Sequence, residues 1–362
     1  MSAECVPSSA RERAAGMSGD PGAVEGPLEG YHHETYVIPL PTVSTAVAGP
    51  APVRGKCREP RNGLLWFDRR CFASEEALLL ALQGRLTRIP DLLEVAEGVR
   101  LQRFIEGRTL GALHGSGEEI PDDVADQILD LFRQMARVTP PSLEADRVCS
   151  PEDRPADGDT TGFLERLICF AEERVYRENV TRFPGLYASF GLDGDSFHRL
   201  REHVLGLRRR PFCLLHADLH RENFIVDDRG GLWAIDWELA MLGDPLYDLA
   251  THLYLMRYPS ARHDLMAKRW CEAMEEEREG SSNGWEEDLP RLLDFKRAQS
   301  VFTDIVRATQ LLDSRPGAGK TVLEQEATKV HRALTAAAEP LALHPVPPLS
   351  EVRASLSHWR RT

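Results

Sequence analysis

Three short apolar runs late in the chain, joined by polar turns of defined chemistry, limit the possible folds more than any average property does. Phe212-Cys213-Leu214-Leu215 reads as a buried strand, and Phe224-Ile225-Val226 and Leu232-Trp233-Ala234-Ile235 read as two more. The latter pair is linked by Asp227-Asp228-Arg229-Gly230-Gly231, which is strong hairpin-turn chemistry. Opposing Val226 with Leu232 places Asn223 across from Ile235 and therefore beside Asp236. The loop His216-Ala217-Asp218-Leu219-His220-Arg221-Glu222-Asn223 leaves the first strand and delivers Asp218 just ahead of the hairpin.

Three oxygen-bearing side chains distant in sequence thus converge, with separable roles. A Mg²⁺-bound nucleotide needs carboxylate and carbonyl oxygens alongside its own phosphates, and a further carboxylate must orient the attacking hydroxyl. Asn223 and Asp236 suit the first task and Asp218 the second. A purely structural reading, in which all three decorate turns, does not account for their order along the chain.

Composition excludes several other classes. A hydrophobic fraction of 42% and a charged fraction of 28% suit a globular chain, and 362 residues suffice for a large core divided into lobes. The formal net charge of −13 argues against a nucleic-acid partner, whose phosphates need clustered cations, and favours a cationic ligand. The seven cysteines are scattered without a CxxC pair and read as free thiols. Residues 1–30 hold no apolar signal-like core and no run reaches membrane-spanning length, so no membrane partner and a cytoplasmic location are expected.

The organisation changes along the chain. Residues 1–29, rich in Ser, Ala, Gly and Pro, are expected to form a flexible tail. Short strands are expected at Tyr36-Val37-Ile38-Pro39-Leu40, at Leu64-Leu65-Trp66-Phe67 and from Val99 to Ile105, with a helix capped by Ser74 between the last two. Beyond Gly107, the helical spacing of Val124, Ile128, Leu131, Phe132 and Met135 opens a mostly helical region, and Glu275 to Asp288 reads as an exposed loop. This predicts an N-lobe over 30–107 that binds nucleotide, a C-lobe over 108–345 that carries chemistry and substrate, and a C-terminal tail over 346–362.

His216, Asp218 and Asn223 match the His-x-Asp-x-x-x-x-Asn loop of the aminoglycoside phosphotransferase and choline kinase superfamily, and the sequence resembles that group. Ile235-Asp236-Trp237 is similar to its counterpart of the protein-kinase Asp-Phe-Gly element, and Gly243-Asp244-Pro245-Leu246-Tyr247-Asp248-Leu249-Ala250 to a stretch seen in bacterial members. The resemblance implies an α+β, bilobal, protein-kinase-like fold with a small sheet-containing N-lobe and a larger helical C-lobe. It implies Asp218 as the hydroxyl-orienting carboxylate, Asn223 and Asp236 as Mg²⁺ ligands, and His216 as a brace for the loop. It also makes His220 a local packing or hydrogen-bonding group and Asp248 a cap or loop clamp.

The nucleotide side carries weaker signals. Gly30 to Tyr36 sits where the family has its nucleotide loop, without a glycine-rich repeat. Lys56 and Arg58 share a strand face, and either could hold the phosphates; Arg58-Glu59-Pro60 resembles the family's Leu-Arg-x-Pro pattern and favours Arg58. Glu75 is the expected carboxylate partner, with Glu76 as the alternative, and Gln102, Arg103, Phe104 and Ile105 resemble the interlobe linker, whose backbone groups would receive the base. Gly317-Ala318-Gly319-Lys320-Thr321 imitates the end of a P-loop, but Ser314 stands where that motif needs glycine, so a surface loop is expected there.

The function implied is transfer of the γ-phosphoryl group of ATP or GTP to a hydroxyl of a small molecule. The net acidity and the bacterial resemblance point to an antibiotic, especially a polycationic one met by Glu238, Asp244 and Asp304. A choline-like amino alcohol, a sugar or a nucleoside would use the same machinery. A nucleotide-binding protein that regulates without catalysis is the alternative of another class.

Overall fold

The computed structural model describes residues 8–28, 30, 33–40, 53–61, 69–314 and 320–359. In the N-terminal part, β1 (Glu25–Leu28), β2 (His33–Pro39), β3 (Arg54–Pro60), β4 (Leu92–Ala96) and β5 (Val99–Arg103) form an antiparallel sheet in the order β1-β2-β3-β5-β4. Strand alternation gives this sheet two chemically different faces. In β3, Gly55 and Cys57 point one way and Lys56 and Arg58 the other; the register pairs Cys57 with Tyr36, Lys56 with Val37 and Arg58 with Thr35.

The apolar face is covered by the helix Ser9–Ser18. Its Ala10 and Ala14 are buried against Tyr36, Ile38, Leu40, Cys57, Leu93 and Leu101, a small core separate from the main one. This corrects the expected flexible tail over 1–29 for the residues described. The helix shows almost no amphipathic pattern in sequence because its buried contacts are two alanines, and Ser8 and Ser9 anchor it through the Glu34 and Glu59 carboxylates at 2.6 and 2.7 Å. The expected strand at residues 64–67, Tyr31 and His32 of the candidate nucleotide loop, and Gly317, Ala318 and Gly319 lie outside the described residues.

The helix Glu75–Leu82 begins at Ser74, whose hydroxyl accepts from the Ala77 amide, and buries Leu78, Leu79 and Leu82 in the main core. The chain crosses to the C-terminal part at β6 (Arg108–Thr109), after Gly107. Gly107 has φ +146°, and a Cβ there would stand 2.3 Å from the Val226 carbonyl oxygen, so only glycine fits this crossing.

The larger part is helical, built on Asp122–Ala136, Thr160–Phe170, Pro245–Met256, Ser260–Glu277, Trp285–Ser314 and Lys320–Ala336. Set among them are β7 (Cys213–Leu215), β8 (Phe224–Val226), β9 (Leu232–Ala234) and β10 (Met241–Gly243), pairing as β10-β7 and β6-β8-β9. Two C-terminal expectations need correction. Over 346–362 the structure has the helix Leu349–Trp359, with Val352 and Leu356 fully buried on the main core and Trp359 edge-on to Phe183. The stretch Glu275 to Asp288 is not an open loop: Ser281, Ser282 and Asp288 are buried, because Asp288 serves the buried Arg210. The six cysteines described are free thiols.

Candidate active site

The hairpin forms in the register that its turn dictates: Val226 opposes Leu232, Ile225 opposes Trp233, and the Ile235 amide donates to the Asn223 carbonyl at 2.9 Å. Asn223 and Asp236 are thereby brought to one mouth. The Asn223 amide nitrogen donates to both the carbonyl oxygen (2.9 Å) and a carboxylate oxygen (3.1 Å) of Asp218. An NH₂ group can serve two acceptors, so these bonds identify the nitrogen and leave the Asn223 Oδ1 as an acceptor. Asp236 takes a left-handed conformation, φ 66° and ψ 66°, which turns it out of the strand at the hairpin's end.

The loop is braced from below by residues with no direct view of the site. The His216 and Ala217 amides donate to the two carboxylate oxygens of Asp248 at 3.0 and 2.8 Å, and this clamp holds Ala217 at φ 64°. His216 is fully buried; its Nε2 donates to the Ile235 carbonyl at 3.1 Å, tying the loop to the residue before Asp236, and burial drives its pKa down to about 4. A neutral imidazole in this position acts as a brace. His252 is likewise neutral, bonded to the Leu219 carbonyl and the Tyr258 hydroxyl, with its pKa lowered by burial to about 3. Arg221 donates to three carbonyls, of His114, Glu118 and Met256.

His220 stands nearer the chemistry. Its Nδ1 accepts from the Glu222 amide and its Nε2 lies 3.5 Å from Asp218 Oδ2. Burial alone would lower its pKa, but Asp218, with Asp236 and Glu222 behind it, holds the imidazole above its ordinary value.

Glu75 joins β3 to this site. Fully buried, it forms an ion pair with Arg58, while its Oε1 accepts from the Trp237 amide at 2.9 Å and from Gln102 Nε2 at 3.2 Å. Burial opposes ionisation, yet Arg58, the Trp237 amide and Lys56 together keep the carboxyl below its usual range. Arg58 also reaches Glu76 at 3.1 Å, so both carboxylates weighed from sequence meet the same guanidinium. The Lys56 ammonium is pushed down by burial despite the nearby Glu75 and Asp236 charges.

The cleft between the two parts has a volume of about 1210 Å³. Asp218, Asn223, Asp236, Lys56 and Arg58 line it, as do Phe104 and Ile105 of the linker. Gln102 and Arg103 are not among the lining residues; their side chains are engaged elsewhere, Gln102 with Glu75 and Arg103 with Asp91 at 3.5 Å. Glu238 and Asp304 also line the cleft, Glu238 against His33 (3.3 Å) and Asp304 against Lys329 (3.6 Å).

Asp244 is the clear correction among the expected substrate residues. It is fully buried, both its oxygens bind Arg210 at 2.8 Å, and Oδ1 also caps the helix Pro245–Met256 through the Leu246 amide. Arg210 in turn reaches Asp288 at 2.7 Å. Sequence reasoning missed Arg210, Arg221 and His252; an arginine directly before a buried strand is the one signal that could have exposed the first.

The residues present fit a magnesium ion that arrives with a nucleotide. Asp236 is buried and has Glu75, Glu238 and Asp218 for neighbours; burial and their charges push its pKa up to about 8, an excess of negative charge that a cation would relieve. Among the described residues no group of three His, Cys, Asp or Glu could hold a metal unaided. Mg²⁺ binds through one or two protein oxygens plus phosphates.

Residues 71–295 match the phosphotransferase enzyme family. The chain belongs to that family. It is therefore a phosphotransferase, with the family's α+β fold of a sheet-containing N-terminal part and a helical C-terminal part. No curated protein matches it. Among solved structures, it is similar to a choline/ethanolamine kinase family protein from Mesorhizobium loti at 16% identity, with 96% of this chain and 98% of that one covered and a TM-score of 0.47. It is also similar to a macrolide 2′-phosphotransferase from Brachybacterium faecium (15% identity, 93% and 98% covered, TM-score 0.48). A third likeness is to a putative aminoglycoside phosphotransferase from Ralstonia eutropha (14% identity, 96% and 98% covered, TM-score 0.48). Among the described residues, no helix is long and apolar enough to cross a membrane.

Proposed function

We propose that this phosphotransferase moves the γ-phosphoryl group of ATP or GTP onto a hydroxyl of a small molecule held against Asp218. The observation that carries the reading is the Asn223 side chain, whose amide nitrogen is spent on Asp218 and whose oxygen is thereby reserved for a metal beside Asp236. When bound, Mg²⁺ would neutralise charge on the β and γ phosphates, held by Asn223 and Asp236. Lys56 and Arg58, on the cleft face of β3, would hold the phosphates from the opposite side, with Arg58 fixed by Glu75. Phe104 and Ile105 would receive the base.

Asp218 accepts the proton of the acceptor hydroxyl as its oxygen bonds to the γ-phosphorus and the bond to the β-phosphate oxygen breaks, releasing ADP or GDP. Asn223 fixes the carboxylate's direction, so most of the rate gain comes from positioning. A hydroxylated antibiotic, an amino alcohol, a sugar or a nucleoside each remains compatible with this chemistry. The polycationic form of the antibiotic reading is weakened, since Asp244 is taken by Arg210 and Asp304 by Lys329.

The test is acceptor-dependent release of ADP or GDP, followed by Asp218→Asn. The variant should lose roughly 10²- to 10⁴-fold in kcat while Mg-nucleotide affinity stays within about threefold. Near-wild-type turnover in the folded variant would refute the assignment.

A further inference from the structure

Away from the cleft, two cysteines meet. Cys71 lies three residues ahead of Ser74, the cap of the helix Glu75–Leu82, and Cys149 lies on the stretch between the helices Asp122–Ala136 and Thr160–Phe170. Phe72 and Arg147 form an antiparallel bridge, closed by the Val148 amide on the Cys71 carbonyl at 3.1 Å and by the Ala73 amide on the Asp146 carbonyl at 3.0 Å. Cys149 stands one residue past that pairing, and the two cysteine side chains hydrogen-bond each other. Neighbouring strands lie about 5 Å apart, and a disulfide spans about 4.4–6.8 Å between Cα atoms. A bond between these sulfurs therefore asks for no large movement of either segment.

The surroundings favour a thiolate at Cys149. The Arg154 guanidinium donates twice to the Cys149 carbonyl, at 3.2 and 2.8 Å, and also reaches the thiol. The bond from Cys71, joined by Arg154 and Arg69, outweighs burial and brings the Cys149 pKa down to about 5. The nearby acids are engaged: Asp153 with Arg166 (3.8 Å) and the Ser150 hydroxyl (3.3 Å), Asp157 with the Phe212 amide (2.7 Å) and Arg278 (3.9 Å). Arg147 donates to the Pro140 carbonyl at 3.2 Å. Both half-buried thiols line a cavity of about 60 Å³ that shares no lining residue with the cleft. That is room for a molecule of two oxygen atoms, since one water needs about 10–15 Å³.

We propose that Cys71 and Cys149 form a peroxide-responsive dithiol, which closes to a disulfide in the folded protein and reopens with a thiol reductant. The Cys149 thiolate attacks one oxygen of hydrogen peroxide; an S–O bond forms, the O–O bond breaks, and the departing hydroxide takes up the proton that Cys149 had released. The Cys71 sulfur then attacks the resulting sulfenic acid, so that the S–S bond forms, the S–O bond breaks, and a second water leaves with the Cys71 proton. Two thiols lose two electrons, and one peroxide becomes two waters. The bond would tie the chain entering the helix that carries Glu75 to the C-terminal part, closing a loop of roughly 80 residues. It stands independently of the phosphoryl-transfer reading.

The full chain, reduced and desalted, is treated with one equivalent of hydrogen peroxide at neutral pH, blocked with iodoacetamide and digested without reductant. Mass spectrometry should find a Cys71–Cys149 linked peptide ahead of any other pair, absent after dithiothreitol, with the other five of the seven cysteines recovered alkylated. The link should form about tenfold faster in the native protein than in concentrated urea, and the oxidised form should melt about 5 °C above the reduced one. Near pH 6, where an ordinary thiol is only about 0.3% ionised, Cys149 should alkylate fastest. In Cys71→Ser, dimedone should label Cys149 after peroxide, whereas in Cys149→Ser it should leave Cys71 unlabelled. The proposal is overturned if no link or a different pair forms first, if urea speeds the link, or if the oxidised protein melts no higher than the reduced. It is overturned equally if another thiol alkylates faster near pH 6, or if dimedone labels Cys71 in Cys149→Ser.

Discussion

Replacing Glu75 by glutamine isolates what the buried pair between strand and helix contributes. The Arg58 and Glu75 side chains are 14% and 2% exposed, and two unit charges about 4 Å apart attract by about 4 kcal/mol at an effective dielectric of about 20. The full loss should be smaller. Glu76, 44% exposed at 3.1 Å, continues to pair with Arg58, and a glutamine Oε1 still accepts from the Trp237 amide. We therefore expect a coupling of about 2 kcal/mol, against about 3–5 kcal/mol for a buried charge stripped of its only partner. A double-mutant cycle of Glu75→Gln and Arg58→Met, read from urea unfolding, measures it directly. If the pair presents Arg58 to the phosphates, Glu75→Gln alone should weaken Mg-ATP binding about 30-fold, the equivalent of about 2 kcal/mol. Additivity within about 0.5 kcal/mol would refute the pair as an organising element. A loss of nucleotide affinity in Lys56→Met with Arg58→Met silent would move the phosphate anchor to Lys56.

Two further outcomes follow from the site. Asp236→Ala should abolish the magnesium dependence of ATP affinity as well as turnover, and calorimetry at several magnesium concentrations showing unchanged affinity would reduce Asp236 to a turn residue. His216 and His252 are held neutral with folded pKa values of about 4 and 3, below the ordinary value near 6.5. Their contribution is therefore complete above about pH 6.5 and is lost as pH falls toward 4, by about 2 kcal/mol each at pH 5. Urea midpoints measured from pH 7 to 5 should fall accordingly, less steeply in His252→Gln; a flat profile contradicts the neutral-brace assignment.

The hairpin of β8 and β9 was legible because its turn fixes a register, and a register fixes every neighbour: Val226 against Leu232 leaves Asn223 beside Ile235. The Ser74 cap and the helix after it were legible for a similar reason, since both signals are local. What escaped was long-range polar pairing. Asp244 looks like a loop acid until Arg210, 34 residues earlier, is seen to occupy both its oxygens. Gln102 reads as a linker residue, yet its side chain turns inward to Glu75. The helix Ser9–Ser18 was invisible to hydrophobic periodicity, since alanine is the smallest apolar signal a sequence can give.

That helix also couples sites far apart. Ala10 and Ala14 close on Tyr36, Ile38 and Cys57, whose strand neighbours Val37, Lys56 and Arg58 belong to the opposite face of the same two strands. A bulkier side chain at either alanine cannot be accommodated without displacing β2 and β3, because packed interiors transmit strain where they cannot absorb volume. If Lys56 and Arg58 hold the nucleotide phosphates as proposed, nucleotide affinity is mechanically tied to the helix Ser9–Ser18. In a saturation scan of activity, two alanines on the outer surface of the sheet would stand out among positions that never meet a ligand.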